Sequence, residues 1–157
     1  MERRDFLTDS SGAGALVLFA ASGLPLVQAH AQNVPGWNKA AFEAKSLADV
    51  ARTLGAASPP AESRDVLLQA PEIADNGSVV RVSAQSTINN TTQICFVVDK
   101  NPSALAAVFD IPAGTESSVS TNLKMAQSSN VYALVKADGK YFFAVREVKV
   151  TLGGCGA

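Results

Sequence analysis

The chain has 157 residues, with 13 basic against 14 acidic side chains, two cysteines and a single histidine. So even a balance offers no one-signed surface for nucleic acid or an anionic membrane. The length suits one domain built around one core.

The amino terminus reads as an export signal. Arg3 and Arg4, followed by Phe6 and Leu7, have the spacing of a twin-arginine leader. A Gly/Ala-rich apolar stretch runs from Gly12 to Val27, and Ala29-His30-Ala31 forms a small-x-small cleavage site before Gln32. A membrane helix is the competing reading, but it needs about 18 apolar residues and Pro25 interrupts this run. Residues 1–31 are therefore expected to be a cleaved twin-arginine signal that sends the protein to the periplasm. That route carries folded cargo, so any partner is expected to join before export.

Cleavage takes Arg3 and Arg4 from the basic residues and Glu2, Asp5 and Asp9 from the acidic ones, leaving equal numbers of each. It also removes His30, the only histidine. A domain without histidine supports no Ser-His-Asp or Cys-His nucleophile and no His-containing metal site.

Residues 32–60 read as a short helical segment and a linker. Trp37, Ala40, Ala41 and Ala44 share one face at helical spacing, with Phe42 outside that stripe. The spacing treats them as packing anchors. Ser46-Leu47-Ala48-Asp49 resembles a capping box opening a second helix that runs to about Leu54 and stops at Gly55. Ala57-Ser58-Pro59-Pro60 is a linker.

Residues 61–152 carry strand patterns separated by turns. Val66 to Ala70 stops at Pro71; Asn76-Gly77 turns the chain into a strand from Ser78 to Ala84. Gln93 to Val98 is a continuous apolar run typical of a buried strand, and Cys95 within it is expected to behave as a small hydrophobe. Strands follow over 104–111 and 116–124; in the latter Val119, Thr121 and Leu123 alternate with serines. Strands over 131–136 and 141–150 flank Asp138-Gly139, a strong hairpin signal. About seven short strands so spaced predict an all-β, immunoglobulin-like antiparallel β-sandwich, preceded by two short helices.

The last strand carries the chain to Gly153-Gly154-Cys155-Gly156-Ala157. A thiol among glycines is no core residue, and residues 153–157 read as a thin, flexible arm. Five residues span about 17 Å at ~3.4 Å each, enough to enter a narrow channel in another protein. Thiolates attack disulfide-like sulfur and are oxidatively joined to other sulfur species. A free cysteine titrates near 8.5 and nothing on the arm lowers that value, so activation is expected from a partner's site.

Other roles for Cys155 are weaker. A bridge to Cys95 requires the arm to enter the core, whereas a Cys155–Cys155 bond between two molecules is easier. One thiol without histidine is a poor metal ligand. Asp75, Asp99, Asp110 and Asp138 fall at turns or strand ends, and no carboxylate pair stands out for acid–base work. Activation at a partner's site fits a covalent sulfur carrier; the other readings are, second, a periplasmic thiol oxidoreductase using Cys155 and, third, an immunoglobulin-like assembly subunit. No Cys-x-x-Cys motif supports the second.

The tail from Val148 to Ala157 resembles the carboxyl end of the SoxY family, the sulfur-carrying subunits of the periplasmic thiosulfate-oxidising Sox system. The likeness extends through Lys124 to Gln127, Val135 to Lys140, Ala70 to Gly77 and the twin-arginine start; Ala157 stands where the family has glycine. The resemblance implies an immunoglobulin-like fold and a heterodimer with a SoxZ-like subunit. It implies that a SoxAX-like haem enzyme joins Cys155 to thiosulfate and that a SoxB-like hydrolase then removes sulfate. A SoxCD-like dehydrogenase acts on the remaining persulfide. On this reading Cys155 is the covalent attachment residue and Gly153, Gly154 and Gly156 keep the arm thin. The chain itself is then no enzyme and needs no catalytic residue, metal or cofactor.

Overall fold

Two helices and nine strands make up residues 38–152, the part of the chain that the computed structural model describes. The expected signal, Trp37 and residues 153–157 lie outside those residues. The helices are α1 (Lys39–Glu43) and α2 (Leu47–Thr53). The strands are β1 (Ala61–Glu62), β2 (Val66–Gln69), β3 (Ile73–Ala74), β4 (Val80–Ser86) and β5 (Thr91–Val98). They continue with β6 (Leu105–Asp110), β7 (Ser118–Leu123), β8 (Ser129–Ala137) and β9 (Lys140–Val150). The seven strands expected from the pattern are β2 and β4 to β9. The other two are two-residue strands that pair in parallel with β9.

One sheet runs β1-β9-β8-β5-β6, with β3 also on β9; the other runs β2-β4-β7. The alternation in β4, Val80-x-Val82-x-Ala84, turns its apolar set inward against Ile94, Phe96, Val98, Val131, Ala133, Val135 and Val148 of the large sheet. This is the sandwich core, and each large side chain so buried contributes about 1.5–3 kcal/mol. Of β7, Leu123 is buried and Val119 packs against the same core.

β5 is buried on both faces, which its unbroken apolar run anticipates. Its second face, with Cys95 and Val97, joins Leu105, Leu134 and Tyr141 under Ala41, Ala44, Val50 and Ala51. The helices thus form a third layer outside the large sheet. The Tyr141 hydroxyl donates to the Leu54 carbonyl at 2.7 Å, and the Ala104 amide donates to the Ala44 carbonyl at 3.1 Å.

Ser46 caps α2 as expected. Ser46 Oγ accepts from the Asp49 amide at 3.1 Å and donates to Asp49 Oδ2 at 2.7 Å. The first helix differs from expectation: Ala40 is exposed, while Phe42 packs against the helix-covered cluster. α1 has only five residues and Ala44 beyond it is extended, so the helical spacing that grouped Ala40 with Ala44 does not persist. At the hairpin, Asp138 and Gly139 both have positive φ (48° and 72°), the primed-turn geometry that Asp-Gly favours.

Candidate functional site

The two cysteines differ in kind. Cys95 has no exposed surface and is a free thiol. Its Sγ donates to Gln93 Oε1 at 3.6 Å. Burial pushes the thiol up to about 12, with Asp110 adding to the rise and Lys136 opposing it. A thiol held protonated and enclosed is not a nucleophile near neutrality. Cys155, Gly153, Gly154 and Gly156, the residues singled out by the sequence, lie outside the described residues. What the structure does describe is the ground from which they leave.

That ground is the carboxyl end of β9, which is bonded on both sides. On one side it pairs in parallel with β3, Ile73 opposite Lys149 and Ala74 opposite Val150. The Lys149 amide donates to the Glu72 carbonyl at 2.9 Å and the Thr151 amide to the Ala74 carbonyl at 3.0 Å. Thr151 Oγ1 donates to the Asp75 carbonyl at 2.8 Å. The Gly77 amide then donates to the Leu152 carbonyl at 2.7 Å. On the other side, the Val150 amide donates to Ser128 Oγ at 2.9 Å.

A second tier fixes the clamp. The Met125 amide donates to the Gly77 carbonyl at 2.7 Å, and the Met125 side chain is fully buried. Asn101 accepts from the Ala126 amide at 2.9 Å and donates to the Lys124 carbonyl at 2.7 Å. Asn76 Oδ1 accepts from the Ser78 amide at 2.8 Å, shaping the turn that brings Gly77 to Leu152. Segments 72–77 and 124–128 therefore converge on residues 149–152. The sequence reading took the first of these as a turn only. Its function as a clamp was signalled by nothing local, because the bonds join residues far apart in the chain.

Little else in the described residues looks reactive. No group of three or more His, Cys, Asp or Glu among them is placed to hold a metal ion. Tyr132 and Tyr141 titrate above the usual tyrosine value, chiefly through burial. Tyr132 donates to Asp99 Oδ2 at 2.8 Å. Both tyrosines serve packing. A surface groove of about 740 Å³ runs between β2 and β9 and is lined by Val66, Leu67, Leu68, Val145 and Arg146 among others. Arg146 Nε donates across it to the Leu68 carbonyl at 3.2 Å.

Comparison with known proteins agrees with this arrangement. The family described as sulfur oxidation protein SoxY matches residues 50–155. Among solved structures, the sulfur carrier protein SoxY from Chlorobium limicola f thiosulfatophilum is 38% identical, with a TM-score of 0.58 over 66% of this chain and 96% of that one. A superoxide reductase (neelaredoxin) from Ignicoccus hospitalis is 20% identical, with a TM-score of 0.49 over 57% of this chain and 82% of that one. No curated protein matches.

Proposed function

The chain belongs to the SoxY family, and from that membership we propose that it is a covalent carrier of sulfur substrates in periplasmic thiosulfate oxidation, with Cys155 as the attachment point. The observation that carries the proposal is the contrast between the chain's two thiols. Cys95 is sealed and protonated, and the family match reaches residue 155. The clamp on Thr151 and Leu152 supports the same reading, because it fixes the root of the segment that bears the second thiol.

The chemistry is one of being acted upon. A SoxAX-like cytochrome binds Cys155, takes its proton, and joins the thiolate sulfur to the outer sulfur of thiosulfate. The new S–S bond releases two electrons, which pass to the haem partner. The product is a cysteine S-thiosulfonate. A SoxB-like hydrolase then adds water across the terminal S–S bond, releasing sulfate and leaving a persulfide. A SoxCD-like dehydrogenase passes electrons from the outer sulfur to an acceptor of its own while water supplies oxygen, and hydrolysis of the resulting cysteine S-sulfonate releases sulfate and restores the Cys155 thiol. Gly153, Gly154 and Gly156 carry no side chain, so a channel wide enough for backbone admits the sulfur.

A SoxZ-like subunit completes the resting molecule as a heterodimer. Its attachment is supported by the edge strand β6, Leu-Ala-Ala-Val-Phe-Asp, which has one charged residue and one paired side among the described residues. Residues 1–31 direct export by the twin-arginine route.

The test is intact-mass measurement after incubation with thiosulfate and the loading cytochrome. A thiosulfate adduct on the wild-type chain, absent from Cys155→Ser, is the expected result. Turnover of a dithiol substrate by the isolated chain overturns the carrier reading in favour of an oxidoreductase.

A further inference from the structure

Where a receiving enzyme must press follows from covalent geometry, given that Cys155 carries the sulfur as proposed above. Cys155 is three residues beyond Leu152, so their Cα atoms stand at most about 11 Å apart at ~3.6 Å per residue. An enzyme that takes this sulfur into a channel has to bring the channel mouth within that reach. The root cannot move out to meet it, because Lys149, Thr151 and Leu152 are bonded to Glu72, Ala74, Asp75 and Gly77. The surface around Leu152 is therefore contact surface.

That surface carries exposed apolar residues. Five large hydrophobic residues are exposed among the described residues: Leu67 at 49%, Ile73 at 61%, Val79 at 63%, Val145 at 37% and Leu152 at 69%. The three most exposed are Leu152, at the root itself, and Ile73 and Val79, in or just after the segment bonded to it. Ile73 stands in register with Lys149, and Val79 follows two residues after Gly77, whose amide is held by the Leu152 carbonyl. Single exposed hydrophobics are ordinary, but a group around one point marks a place of contact. Nearby charges are of both signs, with Glu72, Asp75 and Glu147 beside Lys149, so attraction by net charge does not account for docking.

We propose that Ile73, Val79 and Leu152 form an apolar collar on which the enzyme receiving Cys155 seats the apolar lip of its channel. The test uses the mature chain co-expressed with its partner subunit. It compares wild type, the double variant Ile73→Ser/Val79→Ser, the near-isosteric Val79→Thr, and Leu67→Ser as a distant reference. Three quantities are measured: the initial rate of thiosulfate loading at limiting cytochrome, the rate of reaction with N-ethylmaleimide, and sedimentation of the pair. Loading is expected to fall about tenfold in the double variant and by less in Val79→Thr, the scale of losing apolar anchors at an interface. Leu67→Ser, the maleimide rate and sedimentation are expected to stay unchanged, and raising salt from about 50 to 300 mM should leave the ratio intact.

Loading of the serine and threonine variants at the wild-type rate overturns the collar and leaves the carrier proposal standing. Dissociation of the pair in Val79→Thr also overturns it, since the surface then belongs to the subunit. A wild-type chain that takes no adduct at all overturns the carrier proposal and the collar with it.

Discussion

Cys95 lies in the middle of β5, roofed by α1 and α2 and lacking any exposed surface. At the far end of β9 the structure does the opposite: it holds the chain firmly up to Leu152 and leaves that residue 69% exposed. The burial that stabilises the helix-covered layer also silences its sulfur, because a thiolate loses its water there and Lys136 offsets only part of that cost. On the carrier reading proposed above, the sandwich contributes a fixed origin for the segment that bears Cys155.

The largest effect expected from this contrast is all-or-none. Cys155→Ser abolishes thiosulfate loading, whereas Cys95→Ala loads like wild type and loses about 1 kcal/mol of stability from the small void left behind. Counting thiols with an aromatic disulfide sharpens the point. One thiol per chain should react in the native protein and two in denaturant; two rapid equivalents in the native protein would show that Cys95 is not sealed.

Next in size is obstruction along the arm. Gly154→Trp adds bulk beside Cys155 in the chain. Loading by the cytochrome should fall more than about tenfold, or ~1.4 kcal/mol of transition-state binding, while the maleimide rate stays near wild type. An equal fall in both rates would mean that the tryptophan shields the sulfur itself and that no narrow channel is involved.

Much of this could be read from the residues alone. The alternation in Val80-Arg81-Val82-Ser83-Ala84, the Asp138-Gly139 turn and the Ser46 cap are local signals, and each produced the element expected of it. β1 and β3 left no trace because two residues are too few for a period, and their pairing with β9 is decided by residues far along the chain. The unbroken run from Ile94 to Val98 announced burial on both faces but not that helices supply the second cover. For the site the position is reversed. The thiol and its glycines were legible as a motif, whereas the clamp was not, since its parts come from 72–77, 124–128 and 149–152 and meet only in the folded chain.

A smaller effect concerns alkali. Cys95 binds its proton more tightly when folded, its value rising from 9.0 to about 12, so the unfolded chain gains by ionising first. The stability associated with the protonated thiol is complete below pH 9.0 and is lost progressively as pH climbs towards about 12. Tyr132 and Tyr141, both raised from 10.0, act in the same direction at the upper end of that window. The thermal midpoint of wild type is expected to fall as pH rises above 9, and that of Cys95→Ala to fall less steeply. Parallel curves would remove Cys95 as the cause.

The smallest expected effect tests whether the root of the arm is a unit of its own. Thr151→Val keeps the shape of the side chain and deletes only the Oγ1 bond to the Asp75 carbonyl. Thr151 is exposed, so water compensates the lost bond and the cost sits near the low end of about 0.5–1.5 kcal/mol. Global unfolding would barely register so slight a change. Native-state hydrogen exchange registers it locally, because openings smaller than global unfolding expose only the amides they release. The Thr151 and Gly77 amides, bonded to the Ala74 and Leu152 carbonyls, should lose protection about three-fold, while Ile94 and Phe96 in β5 stay unchanged. Loss spread evenly into β5 would mean that the root opens only with the whole sandwich. The clamp would then be ordinary sheet edge, with no separate part in presenting the sulfur.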